Sequence, residues 1–220
     1  MEKLGLYDKD YYTNHYNRVV EDKNYYQLLA LYWKEAIFCQ NNLNPDLAVL
    51  DYGCGLGQVS AALTNVTFFD YSEYAVNFLT QSEKIALSRV ENIPENYFDF
   101  LLSSHSLEHS TTPAEDLKHF HRYLKPGGKL ILILPVEVDL KPSLEPDSNQ
   151  HFQCWTFQTI TNLLVHCGWR PIYQNFIYGP FLLKTIGRIA SQHQAVKIAY
   201  WLSSLKKNYP SLLTIAEPIN

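Results

Sequence analysis

Several features are missing from this sequence of 220 residues, and each absence excludes a class of protein. The four cysteines stand far apart, with no CxxC pair and no metal-finger spacing, so we expect reduced thiols and no disulfide framework. No apolar run approaches the roughly 20 residues that span a bilayer. The first ten residues hold no basic segment followed by an apolar one, so we expect no signal peptide and a cytoplasmic protein.

Charge is neither high nor evenly distributed. The net charge of −4 gives no reason to expect a nucleic-acid partner. Residues 179–210 nevertheless carry five basic and no acidic side chains, against thirteen basic and twenty-two acidic in the rest. Apolar residues of this basic segment have helical spacing (Leu182, Ile186 and Ile189, then Val196, Ala199 and Tyr200). The segment is either a helical cap packed on the domain, or an interfacial segment in which Trp201 and the basic residues meet an anionic membrane or substrate.

Short apolar runs alternate with helical stretches through the middle of the chain, which indicates βαβ units and a parallel sheet. A helical, tyrosine-rich stretch at 8–42 precedes them, and one late strand of two is expected to pair antiparallel. We expect one domain, with an N-terminal helical cap (1–44), a core (45–178 and 211–220) and a basic helical insertion (179–210). The predicted strands are 47–52, 66–72, 84–88, 97–105, 129–135, 170–179 and 211–219, and the predicted helices after the cap are 57–65, 73–81, 113–124 and 156–168.

The stretch "VLDYGCGLGQVSAAL" places Gly53, Gly55 and Gly57 at alternate positions after an apolar run. A dinucleotide fold uses GxGxxG and a helix N-terminus to bind pyrophosphate. Here Asp51 precedes the glycines, and its carboxylate would repel a pyrophosphate and favour a ligand with a positive centre. Asp70 ends the next strand and can accept both ribose hydroxyls. Ribose plus a cation describes S-adenosylmethionine, whereas the alternative is a tight strand-to-helix turn without a ligand.

Four segments together resemble the class I S-adenosylmethionine-dependent methyltransferases of the kind that act on small molecules. They are "LDYGCGLG", "FFDYS", "ENIPENYFDFLLSSHSLEH" and "LKHFHRYLKPGGKLILILP", and they cover Val49 to Leu134. The resemblance implies an α/β fold with a Rossmann-like, doubly wound sheet. Its strand order would be 3-2-1-4-5-7-6, mostly parallel with strand 7 antiparallel.

The resemblance also implies cofactor-binding residues. The loop from Asp51 to Gly57, including Cys54, would lie against the methionine part, with Gly53 and Gly55 closest. Ser104 and His105 would border the methionine end. Asp70 would hold the ribose, and Tyr71 would lie near the adenine. Arg89 stands where an acceptor for the adenine amino group is common, so the Val90 carbonyl or Glu91 is expected to replace it. Tyr16 or Tyr12 would close over the cofactor, unless these tyrosines only pack on the domain.

The candidate catalytic residues are histidines near the ends of the fourth and fifth strands. A base is needed only if the acceptor loses a proton, and His105, His151 and His109 can take one near neutral pH. Alternatively, Glu108 and His109 shape the pocket floor, and His151 belongs to a plain helix start. The usual two-acid cluster is absent, so no catalytic metal is expected. His119 and His121, two apart on a helix, are predicted to be solvated.

The sequence therefore predicts a methyltransferase that moves a methyl group to an O, N or C atom of a small molecule, in specialised or sugar metabolism. One alternative is a partner subunit that binds the cofactor without catalysis. Another is a protein or RNA methyltransferase, although the acidic main body argues against RNA. A small-molecule substrate is the expected partner, membrane contact is conceivable only through residues 179–210, and the oligomeric state is not predicted.

Overall fold

A computed structural model of the chain describes residues 7–136, 144–145 and 150–219. Residues 1–6 of the predicted N-terminal cap and residues 147–149, which precede the candidate His151, therefore lie outside the described residues. The described strands form one seven-stranded sheet in the order β3-β2-β1-β4-β5-β7-β6. β7 runs antiparallel to both of its neighbours, and the other pairs are parallel. The fold and strand order expected from the resemblance are confirmed. The strands are β1 Val49–Tyr52, β2 Val66–Phe69, β3 Ile85–Leu87, β4 Phe98–Ser104, β5 Leu124–Pro135, β6 Trp169–Tyr178 and β7 Pro210–Pro218.

The central strands are mostly apolar where both faces of the sheet are covered. Along β5, Ile131 contributes to one apolar cluster and Leu132 to the other, since successive side chains point to opposite faces. Helices α1 (Lys9–Glu21), α2 (Lys23–Trp33) and α7 (Gln192–Lys206) contribute to the first cluster. Helices α4 (Pro113–Phe120) and α5 (Phe157–His166) contribute to the second. A π-helical turn, Lys34–Cys39, continues α2, and α3 (Glu73–Gln81) joins β2 to β3.

The predicted helix over 57–65 is wrong, because the structure has only turns there. One N–H of this segment, that of Ala61, bonds four residues back to Gly57, whereas Ser60 and Leu63 bond three residues back. The Ser60 hydroxyl donates to the buried Asp51 carboxylate, which ties the segment to β1. The segment is also short, and β2 begins directly after it. The glycine loop is therefore not followed by a helix N-terminus.

The basic insertion forms a short helix, α6 (Leu183–Ile186), followed by α7. One face of α7, with Ala195, Val196 and Ala199, is buried against the domain, as a helical cap requires. Ile189 was predicted to share the packed stripe but is 85% exposed. The opposite face of α7 exposes Ile198, Trp201 and Leu205.

Contact of the basic insertion with an anionic surface stays a prediction. No helix of the described residues is both long and apolar enough to cross a bilayer.

Candidate functional site

A cavity of about 380 Å³ opens at the carboxyl ends of β1, β2 and β4. After β1 the chain adds β2 and β3 on one side of this strand and then β4 and β5 on the other. The cavity lies at this reversal of strand order, which is the usual ligand position in open α/β sheets. Three groups of residues line it, namely the loop after β1, the ends of β2 and β4, and tyrosines of the N-terminal helices. Of the predicted cofactor residues, the lining includes Tyr16, Asp51, Gly53, Cys54, Gly55, Asp70, Tyr71, Ser104 and His105.

All three glycines of the loop have positive φ, but a side chain added at each would meet different neighbours. A Cβ atom on Gly53 would lie 2.0 Å from the Ser106 hydroxyl oxygen, and one on Gly57 would lie 2.8 Å from the Phe68 ring. Packing within the protein therefore requires glycine at these two positions. The alternative of a tight turn without a ligand would account for both of them. A Cβ atom on Gly55 (φ +52°) would instead meet only the Tyr12 ring, at 3.6 Å, on the cavity side. Gly55 is thus the glycine that keeps the cavity open.

Asp70 connects the end of β2 to the glycine loop. Its Oδ2 accepts from the Gly55 N–H at 2.8 Å, and its Oδ1 accepts from the Ser72 N–H at 2.8 Å. Asp70 also lines the cavity. Tyr71 follows directly, is 57% exposed and lies beside the cavity, with its hydroxyl 3.2 Å from that of Tyr52.

The electrostatics of the cavity favour a cation. Asp51 is buried, and this burial, together with the charge of Asp70, raises the pKa of Asp51 to about 7. The described lining holds these two carboxylates and neither lysine nor arginine. A pyrophosphate would find no cationic side chain in the described lining and no helix N-terminus directly after the glycine loop. A ligand with a positive centre would be stabilised by Asp51 and Asp70.

Five tyrosines of the N-terminal cap line the cavity: Tyr7, Tyr11, Tyr12, Tyr16 and Tyr25. Tyr16 stands at a kink in α1, with φ −126° and ψ 25°, and Tyr12 is buried and stacks on the Tyr74 ring at 5.5 Å. Burial raises the pKa of Tyr7 to about 12, so its phenol stays protonated at neutral pH. Tyr7 and Tyr11 were not predicted to be site residues, although the i, i+4 spacing of Tyr7 with Tyr11 and of Tyr12 with Tyr16 was a usable signal.

Two predicted cofactor residues do not line the cavity. Gly57 packs behind the loop against Phe68 and Leu79. Val90 begins a 3₁₀ turn, Val90–Asn92, in which its carbonyl accepts from the Ile93 N–H at 3.1 Å. Its side chain packs against the second apolar cluster. A contact of Val90 with an adenine stays a prediction.

His105 directly follows β4, has a left-handed conformation (φ +49°) and lines the cavity. Its Nε2 lies 3.1 Å from the Ser211 hydroxyl oxygen, and its Nδ1 lies 3.7 Å from Oε1 of Glu108. The ring is 45% exposed, but toward the cavity, where the surrounding protein and the nearby His151 lower its pKa to about 4. His105 is therefore neutral at physiological pH and accepts a proton only weakly.

The other two candidate catalytic histidines come together at Glu108. Glu108 and His109 lie in a 3₁₀ turn after β4, and the carbonyl of Glu108 accepts from the N–H groups of Phe152 (2.9 Å) and Gln153 (3.2 Å). This pairing places His151 beside His109, with ring centroids 4.7 Å apart. One potential ligand atom from each of Glu108, His109 and His151 lies within 4.8 Å of the other two. Of this group, only His109 lines the cavity.

Residues beside these histidines play structural roles. Thr156 caps α5 in a reciprocal capping box with Thr159, and Trp155 is buried in the second apolar cluster, as the plain helix-start alternative predicted. His119 is exposed as expected, but the prediction of a solvated His121 is wrong. The His121 ring stacks on Trp169 at 3.9 Å, because helix α4 ends over the start of β6.

Comparison with known proteins agrees with this geometry. Residues 24–174 match a family model described as a methyltransferase domain. A Diels-Alderase of Talaromyces variabilis that depends on S-adenosyl-L-methionine is 32% identical, over 45% of this chain and 39% of that protein. The chloroplastic 2-methyl-6-phytyl-1,4-hydroquinone methyltransferase of Arabidopsis thaliana is also 32% identical, over 42% of this chain and 31% of that protein. The alignments thus span less than two fifths of each curated relative.

A solved structure extends the similarity to nearly the whole chain. It is the 1,6-didemethyltoxoflavin-N1-methyltransferase of Burkholderia thailandensis, solved with 1,6-didemethyltoxoflavin and S-adenosylhomocysteine bound. Its TM-score is 0.59 at 15% identity, covering 96% of this chain and 87% of that one, which shows a shared fold. The family model covers well over half of the sequence. The chain therefore belongs to the class I S-adenosylmethionine-dependent methyltransferase family.

Proposed function

We propose that the chain binds S-adenosylmethionine in the cavity at the ends of β1, β2 and β4. The observation that carries this proposal is the pairing of Asp51 and Asp70 in a lining without lysine or arginine. Asp70 accepts from the ribose hydroxyls, and Asp51 stabilises the cationic end of the cofactor. Gly55 lets the cofactor approach the backbone, and Tyr16 covers it.

The proposed reaction is methyl transfer to a small molecule. The S–CH₃ bond of the cofactor breaks as the methyl carbon bonds to an O, N or C atom of the acceptor, and S-adenosylhomocysteine leaves. Any proton of the acceptor passes to water or to a histidine at the end of β4. Since the donor is already activated, positioning supplies much of the catalysis. The cavity continues between α1 and α2 past Val19, Leu29 and Trp33, which suits an acceptor with an aromatic or apolar body.

A second candidate function is catalysis without methyl transfer. It is favoured by the similarity to a relative named as an S-adenosyl-L-methionine-dependent Diels-Alderase. In that case the cofactor would stay intact while a bound substrate rearranges. A partner subunit that only binds the cofactor would likewise leave it intact.

A transfer assay with methyl-labelled cofactor tests the proposed reaction. We expect label from S-adenosylmethionine to enter low-mass compounds of a metabolite extract, with S-adenosylhomocysteine formed in equal amount. Protein and RNA fractions of the same cells serve as parallel acceptors. Label found only in protein or RNA would contradict the small-molecule proposal, and a bound cofactor that stays fully methylated with every fraction would favour the second candidate function.

Proton linkage at Asp51 gives a pH prediction. The raised pKa of about 7 means that Asp51 is largely protonated at pH 6 in the free protein, and a nearby sulfonium favours the ionised form. Binding of the cation therefore releases this proton, and affinity rises with pH until the pKa is passed. S-adenosylhomocysteine lacks the sulfonium and serves as the reference ligand. We expect the ratio of the affinity for S-adenosylmethionine to the affinity for S-adenosylhomocysteine to rise up to about tenfold from pH 6 to pH 8.

Isothermal titration calorimetry with both ligands at each pH checks this expectation. Asp51→Asn removes the titrating group and keeps an amide oxygen that can accept from Ser60. In that variant the ratio of the two affinities should no longer change with pH. If the wild-type ratio is constant from pH 6 to pH 8, Asp51 does not respond to the sulfonium.

A further inference from the structure

A second group of polar residues lies beside the cofactor cavity and has the composition of a metal site. No catalytic metal was expected from the sequence, because two acids near β4 and β5 are missing. The structure assembles a different set of donors from separate parts of the chain. We propose that Glu108, His109 and His151 bind one divalent transition-metal ion at the edge of the cavity.

The geometry of the three side chains carries the proposal. Glu108 is fully buried, His109 and His151 are partly exposed, and their potential ligand atoms lie within 4.8 Å of one another. Metal–ligand bonds of roughly 2.0 to 2.2 Å place the ligand atoms of one ion roughly 3 to 3.5 Å apart. Binding of an ion would therefore draw these ligand atoms up to about 1.8 Å closer together.

The backbone holds the three residues in this arrangement. Glu108 and His109 are adjacent in a 3₁₀ turn, and the N–H groups of Phe152 and Gln153 anchor the segment after His151 to the Glu108 carbonyl. The His109 ring is oriented through Nδ1, which lies 3.0 Å from the Tyr7 hydroxyl and 3.4 Å from the Gln150 carbonyl oxygen. Such outer contacts, which fix the orientation of a ligand ring, are typical of metal-binding histidines.

A buried carboxylate among imidazoles is a setting that suits a bound cation. Moving a carboxylate out of water is costly unless a positive group accompanies it. The side chains near the Glu108 carboxylate include the imidazoles of His105, His109 and His151. A divalent ion bound by Glu108, His109 and His151 would place positive charge beside this buried carboxylate.

The donor set indicates which ions fit. Two imidazoles and one carboxylate suit Zn²⁺, Fe²⁺, Co²⁺ or Mn²⁺, whereas Mg²⁺ and Ca²⁺ prefer oxygen donors throughout. Three protein ligands leave at least one position for water or for an oxygen atom of a bound molecule. Because His109 also lines the cavity, that open position would be reached from the cofactor side. Binding of the ion does not depend on the proposed methyl transfer.

Cobalt absorption spectroscopy tests the site directly. The full chain without an affinity tag is stripped with a chelator and titrated with Co²⁺, whose visible d–d bands report ligation by protein groups. We expect one saturable equivalent that Zn²⁺ displaces. Glu108→Gln and His151→Ala should each weaken Co²⁺ binding at least tenfold. His193→Ala, which removes an exposed histidine at the start of α7, should leave binding unchanged.

Thermal unfolding of the metal-free variants serves as the control for folding. If Glu108→Gln is unfolded, His151→Ala decides alone, since His151 is only partly buried and lies outside the helices and strands. The proposal is overturned if Co²⁺ shows no saturable bands with the folded wild type. It is equally overturned if folded His151→Ala binds as tightly as wild type, or if His193→Ala loses the bands.

Discussion

A Gly55→Val variant is expected to bind S-adenosylmethionine at least about 100-fold more weakly than the wild type, a loss of about 2.7 kcal/mol. Gly55 is the loop glycine whose missing side chain leaves open space on the cavity side, bounded by the Tyr12 ring. A valine side chain would fill the gap between the loop and Tyr12, where the cofactor is proposed to lie. Calorimetric titration with S-adenosylmethionine and S-adenosylhomocysteine measures the loss.

The left-handed backbone at Gly55 also makes valine costly for folding, so this effect needs a matched control. Gly127 has φ +80°, and a Cβ atom there would meet nothing within 4 Å. Gly127→Val thus carries similar backbone strain at a site remote from the cavity. We expect both variants to lose thermal stability but only Gly55→Val to lose affinity. A folded Gly55→Val protein with wild-type affinity would show that the cofactor does not approach this loop.

Asp70→Ala should weaken cofactor binding by about 1.5 to 3 kcal/mol, which is roughly 10- to 150-fold. The variant loses the proposed acceptor for the ribose hydroxyls. It also loses the acceptors for the N–H groups of Gly55 and Ser72, which hold the glycine loop against the end of β2. Part of the expected loss of affinity therefore comes from the missing ribose acceptor, and part comes from a glycine loop that is held less firmly.

A modified ligand separates the two parts. Wild type should bind the 2′-deoxy analogue of S-adenosylhomocysteine more weakly than S-adenosylhomocysteine itself, because the analogue lacks one of the hydroxyls proposed to bond to Asp70. If Asp70 accepts from the ribose, Asp70→Ala should bind both ligands with similar affinity. A variant that still discriminates between them as strongly as wild type would assign Asp70 to the loop alone.

The sheet could be predicted from the sequence because its central strands are distinctive. β1, β4 and β5 lie between two helical layers, so their sequences are nearly continuous apolar runs that local patterns identify. The stretch 57–65 has good helical composition but folds as turns. The reasons are tertiary, since Ser60 donates to Asp51 and Gly57 packs against Phe68 and Leu79.

The cofactor side of the site was more predictable than the acceptor side. Gly55 and Asp70 follow neighbouring parallel strands, so their meeting at one edge of the sheet follows from topology. The approach of His151 to His109 depends on backbone pairing of residues 152 and 153 with Glu108, across more than forty residues of chain. No sequence pattern indicates that pairing. The low pKa of His105, about 4, is likewise set by the surrounding protein and by the nearby His151.

Competition between two adenosine ligands tests the central claim most directly, namely that the cavity accepts a ribose with a cation and no pyrophosphate. S-adenosylmethionine is titrated calorimetrically into the wild-type protein, alone and in the presence of excess NAD⁺ or S-adenosylhomocysteine. We predict one binding site per chain, which S-adenosylhomocysteine blocks and NAD⁺ does not affect. Binding of NAD⁺ that excludes S-adenosylmethionine, or no binding of S-adenosylmethionine to the folded protein, would contradict the account.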